Sequence, residues 1–300
     1  MGGQAGVEEE EEEEEEVDAS VTDPVATLLE TLELEPLGAD RFVVPNPDRG
    51  YGERVYGGQV AAQALRAAQH TVGAERRVHS LHGYFLLGGR PGRPIEYAVQ
   101  RWRDGRSFTT RGVVARQGDE VIFTMTASFH VDEPGPTYAL PLPAGLPGPD
   151  EAPTELLFIP EERRPMLPFE LRELGAGEPD EHGFVPSTRR VWMRIRPGVP
   201  DEPALHACLL TWLSDLGAVY MARAPLPTLP VERLMGASLD HAMWFHRPLR
   251  ADEWFLYDGH AVANGGARGL MRATMHALDG TLGVSVAQEA LLRVIGGAAG

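Results

Sequence analysis

Ser238-Leu239-Asp240-His241-Ala242-Met243-Trp244-Phe245 follows a stretch of helical spacing at 203–222, and Ser80-Leu81-His82-Gly83-Tyr84-Phe85 follows another at 57–71. After each come three more runs of strand character, over 94–103, 107–116 and 121–131 in the first half and over 254–262, 269–277 and 282–292 in the second. The turns repeat as well: Asp104-Gly105 is matched by Asn264-Gly265, and Gly118-Asp119 by Asp279-Gly280, all hairpin signals. One helix followed by an antiparallel meander, twice over, predicts an α+β fold in which each sheet wraps its own long central helix. Joining the two sheets edge to edge would cover strand edges that otherwise invite pairing with other chains.

Ten prolines lie between Glu133 and Pro168, too many for regular structure. We therefore expect a first unit at 23–133, a Pro-rich linker at 134–188, a second unit at 189–295 and a flexible tail at 296–300. The formal charge of −17 is carried mainly by Glu8 to Glu16 and Asp18, which supply ten negatives and leave −7 for the rest. Such a run repels itself and buries nothing, so residues 1–22 read as a disordered acidic arm.

The mildly acidic body argues against nucleic acid as a partner. No run of 18 apolar residues occurs, so no membrane span is expected, and the acidic N-terminus is unlike a secretory signal. A single cysteine, Cys208, suits a reducing compartment and a cytoplasmic location, and its place on an apolar helix face marks it as a core thiol. Gly-x-Ser-x-Gly, His-Glu-x-x-His, Walker and Gly-x-Gly-x-x-Gly signatures are all missing. Neither a metal nor an organic cofactor is expected.

Two polar residues stand out against apolar surroundings. Gln288 shares one face of its strand with Val284, Val286 and Ala290, and an unpartnered amide on a buried face costs about 1–3 kcal/mol. In the 203–222 helix the apolar stripe is Leu205, Cys208, Leu209, Trp212, Leu213 and Leu216, and Asp215 falls on its border. A carboxylate placed there can face a cleft without being entombed. Asp240 and His241 are adjacent on one strand and should point to opposite faces, so they and His246 read as structural or supporting groups. His79 and His82 are candidates to line a cleft beside the first-half strand.

The segments Val55-Tyr56-Gly57-Gly58-Gln59, Val78-His79-Ser80-Leu81-His82-Gly83, Leu213-Ser214-Asp215, Asp240-His241-Ala242-Met243-Trp244-Phe245-His246 and Val286-Ala287-Gln288-Glu289, in that order, resemble the acyl-CoA thioesterase II family. The resemblance runs from about residue 25 to 293. It implies a double hotdog fold and hydrolysis of medium- or long-chain fatty acyl-CoA. It also implies catalytic positions at Asp215, Ser238 and Gln288, with Ser238 standing where Thr is familiar.

The residue types suit that chemistry. A thioester is already electrophilic, so hydrolysis needs a positioned water, a base for its proton and donors for the developing oxyanion. Asp215 would take the proton, Ser238 and Gln288 would hold the same water, and backbone N–H groups of Gly57 and Gly58 at a helix start would meet the thioester oxygen. Aligning the repeats places Gln288 over Ala127 and Asp215 near Gly57, so one site per chain is expected, built across the two halves. The rival readings are a non-catalytic acyl-CoA binding or sensing module and a hotdog enoyl-CoA hydratase or dehydratase. Arg103, Arg106, Arg111, Arg268 and Arg272 are candidates for CoA phosphates. A homo-oligomer, dimer or larger, is expected.

Overall fold

The computed structural model describes residues 23–48, 53–152, 161–174, 188–223 and 234–295. The acidic arm and the terminal tail read from the sequence lie outside the described residues. The first half comprises α1 (Pro24–Glu30), β1 (Glu35–Gly38), β2 (Arg41–Val44), α2 (Gly57–Gln69), β3 (Arg76–Phe85), β4 (Ile95–Asp104), β5 (Phe108–Gln117) and β6 (Glu120–Val131). The second comprises β7 (Phe169–Glu173), β8 (Thr188–Ile195), α3 (Pro203–Ser214), α4 (Ala218–Arg223), β9 (Leu234–Ser238), β10 (Asp240–Phe245), β11 (Phe255–Gly265), β12 (Arg268–Ala277) and β13 (Leu282–Val294).

The strands form one continuous sheet in the order β1-β2-β4-β5-β6-β3-β10-β13-β12-β11-β8-β7, with β9 paired to β13, and every pairing is antiparallel. The halves meet where β3 pairs with β10, His82 opposite Ala242 and Leu81 opposite Met243. Helix α2 packs on β3, β4, β5 and β6 and lies against α3, while α4 covers β9, β11, β12 and β13. The α2 surface is cut for close approach: Ala62, Ala64, Ala67 and Ala68 are fully buried beside Leu65, so neighbouring backbones come near without a gap.

Three local departures from the sequence reading stand out. The helix read as continuous over 203–222 is broken: α3 stops at Ser214, Gly217 takes φ +78°, and α4 begins at Ala218. Its terminal carbonyls are taken by tyrosines, since Tyr56 donates its hydroxyl to Trp212 O at 2.8 Å and Tyr257 donates to Ser214 O at 3.0 Å. The strand read over 238–245 is also two strands. Ser238 pairs with Ala290 and Ala242 with Ala287, so Leu239, Asp240 and His241 oppose only Glu289 and Gln288. That extra residue is a β-bulge. Finally, the segment read as a linker contains a strand: β7 pairs with β8, burying Phe169 and Leu171 on one face.

Candidate active site

The break after α3 places Asp215 at the helix C-cap, with φ −84° and ψ −9°. Only 8% of it is exposed, and it borders a cavity of about 500 Å³ shared by both halves, whose wall includes Tyr56, Gly57, Phe85, Asp215, Ser238 and Leu239. The carboxylate accepts three hydrogen bonds: Gly58 N–H donates to Oδ2 at 2.9 Å, Gln288 Nε2 to Oδ1 at 2.9 Å and the Ser238 hydroxyl to Oδ1 at 3.3 Å. Gln288 Nε2 also donates to Ser238 Oγ at 2.8 Å. Three side chains named from distant parts of the sequence therefore meet within hydrogen-bonding distance.

Burial pushes the Asp215 carboxyl above its ordinary value, against the pull of His241 and of the hydrogen bonds from Gln288, Gly58 and Ser238. The result is a carboxylate held in place and made more basic than a surface aspartate.

Two details depart from the roles assigned by sequence. Gln288 is 0% exposed and stands behind Asp215 and Ser238, with both amide hydrogens committed to them; its side chain is not part of the cavity wall. The Gly58 N–H, expected to face a thioester oxygen, is taken by Asp215. Gly57 does border the cavity, and its N–H has no partner among the described residues. Both glycines are required by close approach: a Cβ on Gly57 would lie 2.8 Å from Asp215 Oδ2, and one on Gly58 2.5 Å from Trp212 O.

Several other sequence candidates fall away from the cavity. Arg111 is fully buried, donating to Thr71 O, Thr71 Oγ1 and Asp104 Oδ1, so it ties the end of α2 to the β4–β5 hairpin. Arg268 pairs with Glu289 at 2.9 Å. His79 bonds Ser128 Oγ, and His82 lies edge-on to Trp244; neither is part of the cavity wall. Cys208 is fully buried, its thiol pushed up to about 12 by that burial.

Two supporting groups complete the polar cluster: His241, read from the sequence as structural or supporting, and Ser214, which was not singled out. His241 Nδ1 lies 2.5 Å from Gln288 Oε1, and His241 Nε2 lies 2.7 Å from Ser214 Oγ. The bulge turns His241 to the same side as Ser238, which a regular strand would not do for residues three apart. Arg54, exposed at the cavity mouth, was also unmarked; its only signal was its place beside the Val55-Tyr56-Gly57-Gly58 motif. Among the described residues no three His, Cys, Asp or Glu side chains cluster to hold a metal, and no helix is long and apolar enough to cross a membrane.

Comparison with known proteins gives a consistent outcome. The chain matches the models for the acyl-CoA thioesterase N-terminal domain over residues 45–130 and C-terminal domain over residues 143–292. It is 34% identical to acyl-coenzyme A thioesterase 8 of Homo sapiens over 88% of each chain. Among solved structures, an acyl-CoA thioesterase II of Mycobacterium marinum superposes with a TM-score of 0.76 at 38% identity, over 90% of this chain and 99% of that one. A protein with hotdog fold from Alicyclobacillus acidocaldarius superposes at 0.74 with 19% identity, over 89% of this chain and 98% of that one, a likeness of fold alone.

Proposed function

The chain belongs to the acyl-CoA thioesterase II family, with a hotdog fold, and from that premise we propose that it hydrolyses medium- and long-chain fatty acyl-CoA to the free acid and CoA through a water held by Asp215 and Ser238. The observation that carries this is the convergence of Asp215, Ser238 and Gln288 at 2.8–3.3 Å, two of them on the wall of a cavity reached from both halves. We read the two repeats as two hotdog units whose sheets join at β3 and β10.

In this reading Asp215 accepts a proton from water as its oxygen attacks the thioester carbonyl, and Ser238 fixes the direction of attack. Gln288 acts one step back, holding both groups with its two amide hydrogens rather than touching the water. The Gly57 N–H, at the positive end of α2, is placed to receive the developing oxyanion. The tetrahedral intermediate then collapses with cleavage of the carbon–sulfur bond, and the thiolate leaves as CoA. Arg54 at the mouth supplies a cation for the CoA phosphates. No cofactor enters these steps. A cytoplasmic location and a homo-oligomer, dimer or larger, belong to the same proposal, the latter supported by Tyr84 and Trp244 exposed on adjacent strands β3 and β10.

Release of free thiol from a panel of saturated acyl-CoAs, beside hydration of an enoyl-CoA, tests the proposal. Thiol release that is lost in Asp215→Asn supports it. Tight binding without turnover, or hydration alone, would replace it with a sensor or a hydratase.

A further inference from the structure

We propose that His241 is a positioning residue for the reaction: its Nδ1–H sets the orientation of the Gln288 amide and, through it, the Asp215 carboxylate and Ser238 hydroxyl. The inference rests on the thioesterase reading above and adds a residue that this reading did not require.

The donors and acceptors of the cluster fix its protons. A carboxylate only accepts hydrogen bonds, so the amide end 2.9 Å from Asp215 Oδ1 must be Nε2. That leaves Gln288 Oε1 facing His241 Nδ1 at 2.5 Å, and an acceptor can face only a donor, so Nδ1 carries the proton. The ring's other nitrogen lies 2.7 Å from Ser214 Oγ, and Ser214 Oγ lies 2.8 Å from Thr211 O. With a neutral ring, the Ser214 hydroxyl donates to Nε2; with a second proton on the ring, Nε2 donates and the hydroxyl turns to Thr211 O. In both states Nδ1 still donates to Gln288.

The ring is 1% exposed and no part of it borders the cavity, so it does not meet substrate. A primary amide has nearly the same shape after a half-turn, so packing alone cannot choose between its two ends. Without the Nδ1 donor, Gln288 Oε1 is left buried with no partner among the described residues, and the amide loses the bond that seats it behind Asp215 and Ser238. The bulge at 239–241 is what brings the imidazole to this side of the sheet.

Three replacements separate positioning from mere filling of space, with acyl-CoA hydrolysis followed as kcat and KM. His241→Asn puts an amide donor near the place of Nδ1, His241→Gln puts it near Nε2, and His241→Leu has none. His241→Leu and His241→Gln should lose about 10- to 100-fold in kcat with KM little changed, the range known for supporting bonds behind metal-ligating side chains. His241→Asn should recover most of that loss. Wild-type kcat in His241→Leu, or an Asn variant no better than Gln, overturns the proposal.

Should the variants fail to fold, ¹⁵N NMR of the histidine rings in the wild-type protein decides it: a protonated Nδ1 at His241 is required, and a bare Nδ1 overturns the inference. A wild-type protein that releases no thiol from any acyl-CoA would sink the hydrolase reading while leaving the tautomer measurement to judge His241 on its own.

Discussion

As the proposed base, Asp215 must be ionised to accept a proton, yet it sits where ionisation is costly. Its substitution by Asn should lower the rate of thiol release about 10²–10⁴-fold while the protein stays folded by calorimetry. Because burial raises its carboxyl above the ordinary 3.8, the acid limb of kcat/KM should stand above that value rather than at it. The same shift acts on stability. An acid whose folded value is raised binds its proton more tightly when folded, so its contribution is full below 3.8 and is lost as pH climbs towards the raised value. Denaturation midpoints across that window should show the decline, and Asp215→Asn should remove it. At this scale the sequence was generous: Asp215 at a stripe border and Gln288 on a buried face were both readable from spacing. His241 was read as a structural or supporting group; that it shares the Ser238 side was not legible, because strand parity fails wherever a bulge shifts the count.

The α2 start and the α3 end act as a pair of elements that fit only because one lacks side chains. Gly58→Ala would drive a methyl to 2.5 Å from Trp212 O, so the melting temperature should drop, the cost of such overpacking being about 1–3 kcal/mol. Gly57→Ala should behave differently, since its Cβ would meet Asp215 Oδ2 at 2.8 Å and the Phe85 ring at 3.0 Å. Stability should fall less than in Gly58→Ala, because side-chain atoms rather than a backbone carbonyl give way, while thiol release falls about tenfold or more as the carboxylate is displaced. Most elements followed from periodicity and turn chemistry. Among those missed, β7 is five residues long and follows Pro168, and β1 and β2 are four residues each, too short for alternation to register; α1 and the eight-residue β8 were missed as well. The α3 break was missed because the apolar stripe runs on through Leu216, and only the tyrosine caps and Gly217 reveal why the helix stops.

At the scale of the molecule, the site belongs to neither half. Gly57 and Gly58 come from the first and Asp215, Ser238 and Gln288 from the second, so either half produced alone should release no thiol, and co-expressing both should restore activity if they reassemble along β3 and β10. The duplication was readable because turns, helix and meander recur in one order. Where the cavity opens was not, because it depends on how two repeats face each other. The uninterrupted ladder from β3 to β10 has a mechanical result. Two lobes stitched by backbone bonds cannot swing apart as jaws do, so the pocket is preformed and heat should melt both lobes in one cooperative step. Admission of an acyl chain is then a matter of side chains shifting at the rim, and no hinge motion between the lobes should accompany turnover.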